Sequence, residues 1–136
     1  NATLTNDSEL SFAVNSGDTW YVQLLLSYSG NNATGDYKCD FSFPSASGYL
    51  RYIGDNSAAD ALILSTGIRF AAVGSFAAAI ALGADAVNTP RVFELDMMLR
   101  PTASGTVQFR FANNTAAAGR TSTTRAGSTL LARKLG

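Results

Sequence analysis

Apolar side chains recur at every second position through much of this chain, and that period of two limits its fold more than any other feature. The pattern is clearest over residues 91–111. Phe93, Leu95, Met97 and Leu99 share one side of an extended segment, and Glu94, Asp96 and Arg100 share the other with Val92 and Met98. Val107, Phe109 and Phe111 then alternate with Thr106, Gln108 and Arg110. Side chains alternate across a β-strand. Helical spacing would bring Phe93 together with Asp96 and Met97 and leave no coherent stripe. Pro101, Ser104 and Gly105 between the two runs carry turn chemistry. The stretch therefore predicts a β-hairpin. Like faces match only if paired residue numbers add to an even sum. Glu94 opposite Arg110 (sum 204) and Asp96 opposite Arg110 (sum 206) both satisfy this. Either register places an ion pair outside and an aromatic–aliphatic ladder inside, each cross-strand pair contributing roughly 0.2–1 kcal/mol.

The rest of the chain reads in the same way. Residues 1–7 are polar and read as an arm or a short edge strand. Leu10, Phe12 and Val14 mark a strand over residues 8–14. In residues 20–28, Trp20, Val22, Leu24, Leu26 and Tyr28 share one face, with Tyr21, Gln23, Leu25 and Ser27 on the other. Both faces carry bulk, so this strand is expected to be central or to face a neighbouring subunit. Tyr37, Cys39, Phe41 and Phe43 point inward from residues 36–43, with Asp36, Lys38, Asp40 and Ser42 outward, and Pro44 ends that strand. Residues 45–60 are looser, a loop region holding Tyr49, Arg51, Tyr52 and Ile53. Residues 61–73 alternate again. The alanine-rich residues 76–86 fit a flat strand better than a marginal short helix. Residues 112–124 read as a long loop, and residues 125–134 close the chain. Eight or nine short strands with turn signals between them predict an all-β, antiparallel β-sandwich of jelly-roll type, one domain over residues 1–136.

Composition narrows the function. Formal net charge is zero and only 15% of residues are charged. That disfavours binding to nucleic acid through a broad basic field. It also lowers colloidal solubility, which suits a protein held in an assembly. The chain has no histidine, and so lacks the usual general base, proton switch and commonest metal ligand. No nucleophile elbow or phosphate-binding loop occurs, so neither an enzyme nor a cofactor is expected. The lone Cys39 excludes an internal disulfide and reads as a small buried hydrophobe. The longest apolar stretch, residues 76–82, is far short of a membrane span. No signal peptide is visible, and Asn1 is not a start methionine, which leaves room for residues upstream.

Paired carboxylates at Asp36/Asp40 and Glu94/Asp96 could serve as acid and base or ligate a cation. The plainer reading is a solvated strand face, with Arg110 as the cross-strand partner of the second pair. Asp55, Asn56 and Asp60 match no calcium-loop spacing. Four Asn-x-Ser/Thr triplets begin at Asn1, Asn6, Asn32 and Asn113, as chance allows in so Asn/Ser/Thr-rich a chain. Tyr49, Arg51 and Tyr52, in the loop region, are the candidate contacts to a glycan or a partner protein.

Several segments carry a family likeness: NDSELSFAV (residues 6–14), WYVQLLLSYSG (20–30), GDYKCDFSFP (35–44), SGTVQFRFANNT (104–115) and AGSTLLARKL (126–135). In these the chain resembles small structural domains encoded by tailed bacteriophages. The resemblance implies a homotrimeric, jelly-roll-like β domain related in shape to tumour-necrosis-factor-type trimers. Its setting would be the virion, as a capsid decoration or head-fibre protein, with capsid or other virion proteins as partners, or as a tail-fibre module gripping host surface glycans. It implies no catalytic residues. The expected trimer interface is the face formed by Trp20, Val22, Leu24, Leu26 and Tyr28, since that strand holds more apolar surface than one core needs.

Overall fold

The structure is a computed structural model and describes residues 3–31, 37–55, 62–63, 69–70, 79–84, 88–115 and 118–136. These form β1 (Thr5–Val14), β2 (Trp20–Gly30), β3 (Tyr37–Ser42), β4 (Ala46–Asp55), β5 (Leu62–Ile63), β6 (Arg69–Phe70), β7 (Ile80–Leu82), β8 (Arg91–Pro101), β9 (Gly105–Asn113), β10 (Ser122–Thr124) and β11 (Thr129–Lys134). No helix occurs among the described residues. The strands form two antiparallel sheets packed together as a β-sandwich. The small sheet runs β1-β9-β3-β7. The large sheet runs β10-β2-β8-β4-β5, with β11 also on β2 and β6 also on β4.

The pairings share one logic. β1 pairs with β9, β2 with β8, β3 with β7, and β4 with β5 and β6. The chain is thus a long antiparallel ribbon doubled back beyond β4 and rolled up, so that successive pairs enter opposite sheets. Most connections therefore cross the sandwich rather than turn within a sheet.

That crossing corrects the expected hairpin. β8 and β9 do not pair: β8 lies between β2 and β4, and β9 between β1 and β3. Both strands have the apolar faces assigned to them, but the faces meet across the core instead of side by side. Leu95 sits beside Leu24 and Tyr52, and Phe109 beside Phe41. An alternating pattern reports which side of a strand is apolar and nothing about its lateral neighbour. The turn at residues 102–104 joins the two sheets. It is stitched to the neighbouring loops by Thr102 N–H to Ser45 O (2.7 Å), Ser16 Oγ to Thr102 O (3.0 Å) and Gly17 N–H to Pro101 O (2.9 Å).

The core is shared by both sheets. Tyr28, Tyr37, Phe41, Phe93 and Phe109 are its largest fully buried side chains. Buried tyrosines need partners for their hydroxyls. Tyr28 donates to Gly83 O (2.8 Å), and the Tyr37 hydroxyl meets Thr124 Oγ1 (2.8 Å). Burial pushes the Cys39 thiol well above its usual range, so it is an unreactive core residue.

Other boundaries shift. β1 starts at Thr5, so residues 5–7 take the edge-strand alternative of the two given for residues 1–7. The expected loop at 45–60 holds a ten-residue strand, β4. Within the alanine-rich run only residues 79–84 are described, and β7 covers Ile80–Leu82. Of residues 61–73 only β5 and β6 are described; the remainder lies outside the described residues.

Candidate functional site

The feature that sets this surface apart is the outer face of the large sheet. Four strands, β11, β2, β8 and β4, run side by side there in continuous register. One row across them reads Leu131, Gln23, Asp96, Arg51. The adjoining rows read Thr129, Leu25, Glu94, Ile53 and Arg133, Tyr21, Met98, Tyr49. Leu25, Tyr49, Ile53, Val92 and Leu131 all project from this face, each 42–56% exposed. Leu135, just past β11, is exposed as well. No other large hydrophobic is exposed among the described residues, so the outer face of the small sheet contributes none.

Asp96 is the polar centre of this face. Its Oδ1 accepts from the Tyr21 hydroxyl (2.8 Å) and Gln23 Nε2 (3.1 Å), and its Oδ2 accepts from Arg51 Nε (2.8 Å). Partial burial raises the Asp96 pKa, but the hydrogen bonds from Tyr21, Arg51 and Gln23 outweigh it and hold the carboxyl below its ordinary value of 3.8. The same bond holds the Tyr21 phenol above its ordinary value. At the edge of the sheet, Lys134 pairs with Asp18 (2.8 Å), and this contact lowers the Asp18 pKa.

A carboxyl with a lowered folded pKa contributes stability that is present above its unfolded pKa and lost as pH falls through the folded one. The Asp96 contribution is therefore intact at neutral pH and disappears as acid carries the solution to 3.8 and below. Urea midpoints measured from pH 6 to pH 2.5 are expected to fall over that window. An Asp96→Asn variant should fall less steeply. Parallel curves for the two proteins would contradict the assignment.

The expected sites divide. The face formed by Val22, Leu24, Leu26 and Tyr28 is buried inside a single chain, and Trp20 packs on Phe12 (centroids 5.2 Å apart) against the same core. These side chains fill the sandwich of the single chain; the spare apolar surface is on the opposite side of β2, at Leu25. Tyr49 and Arg51 point outward beside Asp96. Tyr52 points inward, its ring 5.6 Å from that of Phe93. Glu94 and Asp96 share the outer face, but Asp96 is held by Arg51 rather than Arg110. Arg110 instead clamps Asp40 through Nε (2.8 Å) and Nη2 (2.7 Å), and Asp40 is buried rather than solvated. Asp36, Asn56, Asp60 and the side chain of Asp55 lie outside the described residues.

Sequence reasoning missed Leu25, Val92, Met98 and Leu131 as one surface. Leu25, Val92 and Met98 lie on the less apolar sides of their own strands, and Leu131 shares its face with Thr129 and Arg133. Only the β11-β2-β8-β4 order sums them into a patch.

Two shallow hollows mark the face. One, of about 350 Å³, lies among Gln23, Leu25, Glu94, Asp96, Thr129 and Leu131. The other, of about 320 Å³, lies among Tyr21, Tyr49, Arg51, Asp96 and Met98. Comparison with models of protein families, with curated proteins and with solved structures finds no match to this chain. Among the described residues no group of three His, Cys, Asp or Glu is placed to hold a metal ion, and no helix is long and apolar enough to cross a membrane.

The arrangement is suited to docking. Fully burying a large apolar side chain stabilises by roughly 1.5–3 kcal/mol. Five such side chains, each about half exposed, leave on the order of 5 kcal/mol unrealised in one chain. Two such faces meeting would recover about twice that, against an association cost of roughly 4–15 kcal/mol.

Proposed function

We propose that this chain is a non-enzymatic structural protein of a bacteriophage virion, a homotrimeric capsid decoration or head-fibre component of jelly-roll type. The observation that carries the proposal is the apolar outer face of the large sheet, which a protein working alone in solution would have no use for. The strand order supports the jelly-roll reading. A ribbon with β1 on β9, β2 on β8 and β3 on β7, rolled into two sheets, is what the double Greek-key winding of that architecture, which recurs in viral capsid and lectin domains, would require. The phage-like segments at residues 6–14, 20–30, 35–44, 104–115 and 126–135 point the same way. In the proposed role the outer faces close against copies of the chain, and the loops at one end of the sandwich meet the shell.

Light scattering of the purified chain tests this. A species of about three chains at micromolar concentration is expected, and a stable monomer there would overturn the reading.

A second reading is a tail-fibre module that binds host surface glycans. What favours it is the exposed Tyr49 ring beside Arg51 over the smaller hollow, an aromatic platform next to a hydrogen-bonding group. A glycan array separates the two, since only the second reading expects a specific oligosaccharide to bind.

A further inference from the structure

We infer that copies of this chain meet through the outer face of the large sheet, in a seam centred on Asp96 and bordered by Leu25, Tyr49, Ile53, Val92 and Leu131. The inference rests on the self-assembly proposed above and adds where the contact lies and why it takes a copy of the same chain.

Three observations carry it. The first is asymmetry. The sandwich has two outer faces, and among the described residues the exposed large apolar side chains lie on the large sheet or at the end of its strand β11. The small sheet presents the Arg110–Asp40 pair, Lys38 and Gln108 instead. The second is the centre of the face. A charge carried into a dry interface is costly unless it is paired and hydrogen-bonded. Asp96 meets that requirement within its own chain, through Tyr21, Gln23 and Arg51. The face can therefore lose water without stranding the Asp96 carboxylate. The third is the charge that remains. Glu94 lies on the Leu25 side of Asp96, while Arg133 and Arg100 lie toward the other end of the same face.

Those charges identify the occupant. A strongly acidic or basic partner would find no matching field, because both signs are present. A sugar binds through open donors and acceptors, and the carboxylate at the centre already accepts from three groups of its own chain. A second copy offers apolar surface to apolar surface and both signs of charge to both signs, so Glu94 of one copy can meet an arginine of the other.

The test is sedimentation velocity on wild type, on Leu25→Glu/Val92→Glu, and on Lys38→Glu as a control on the other sheet. Both substitutions of the double variant fall on half-exposed outward positions, and circular dichroism checks that it folds. The double variant is expected to associate more than about tenfold more weakly, while Lys38→Glu associates like wild type. A monomeric wild type overturns the proposed self-assembly and the seam together. An associating wild type with an equally associating, folded double variant overturns the seam alone.

Hydroxyl-radical footprinting of the unaltered protein across a dilution series decides the matter should the double variant fail to fold. Tyr49 and Met98 are expected to become protected as concentration rises, with β3 unchanged. Uniform protection, or none, overturns the seam. Protection that follows added oligosaccharide rather than protein concentration assigns the face to a glycan and overturns it too.

Discussion

Gly48→Ala is expected to destabilise the fold by more than about 3 kcal/mol, a loss in the range that severe overpacking produces. Gly48 lies in β4 opposite Leu99 of β8. A Cβ added there would overlap the carbonyl oxygen of Met98 and come within 3.1 Å of its carbonyl carbon and 3.2 Å of Leu99 Cα. These are backbone atoms of a central strand and have nowhere to go. β8 carries Phe93, Leu95, Met97 and Leu99 into the core, so displacing it loosens the whole sandwich. Gly54, in the same strand, is the internal comparison. A Cβ there meets side-chain ends, Phe93 Cδ2 at 2.7 Å and Leu82 Cδ2 at 2.9 Å, which can shift. Urea unfolding should therefore rank Gly48→Ala well below Gly54→Ala. Equal midpoints would show that β4 can move away from β8 at little cost.

Arg110→Met is expected to cost about 3 kcal/mol, toward the low end for breaking a buried ion pair because Arg110 is itself partly exposed. Asp40 and Arg110 face one another on β3 and β9, and the carboxylate side chain is only 4% exposed. Removing the guanidinium takes away both of its bidentate hydrogen bonds and leaves a charge with little access to water. The same logic makes the double change Asp40→Leu/Arg110→Met milder than Arg110→Met alone, since it removes the stranded charge with its partner. Denaturant midpoints of wild type, both single variants and the double variant complete the cycle. A double variant less stable than either single variant would mean that the pair contributes by packing rather than by charge.

These two sites also show where the sequence was readable. The inward sets of β3, β8 and β9 could be assigned from alternation alone, because each carries three or more large apolar residues in strict period. β4 could not. Its inward positions hold Ala46, Gly48 and Gly54 beside Leu50 and Tyr52, while Tyr49 and Ile53 face out. Small residues inside and bulky ones outside cancel the usual contrast, and an interior glycine ordinarily argues against a strand. Gly48 is there because β8 passes too close for a side chain. β10, three polar residues at the edge of the large sheet, carries no apolar signal at all.

The candidate face was legible only in fragments. Bulk on both sides of β2 was visible, but the side chosen for contact with another chain was the one the core uses. Arg51 and Tyr49 were picked out from their residue types. Tyr52 was picked out with them, and the pleat turns it the other way. Arg110 was offered as the partner of Glu94 or Asp96 because it is near in sequence, whereas Asp96 takes Arg51, which is near in space.

By itself, then, the sequence determined that this chain makes strands, which residues most of those strands hide, that the protein carries no net charge, and that no histidine is available for chemistry. The tertiary structure decided which strands are neighbours, that β8 and β9 part into opposite sheets, that Asp40 rather than Glu94 or Asp96 takes Arg110, and that the unspent apolar surface lies around Asp96. The division has a physical cause. The side a residue faces is a local property of an extended backbone, repeating every two residues. Lateral pairing joins residues far apart in the chain, and it is selected by the packing of both sheets at once.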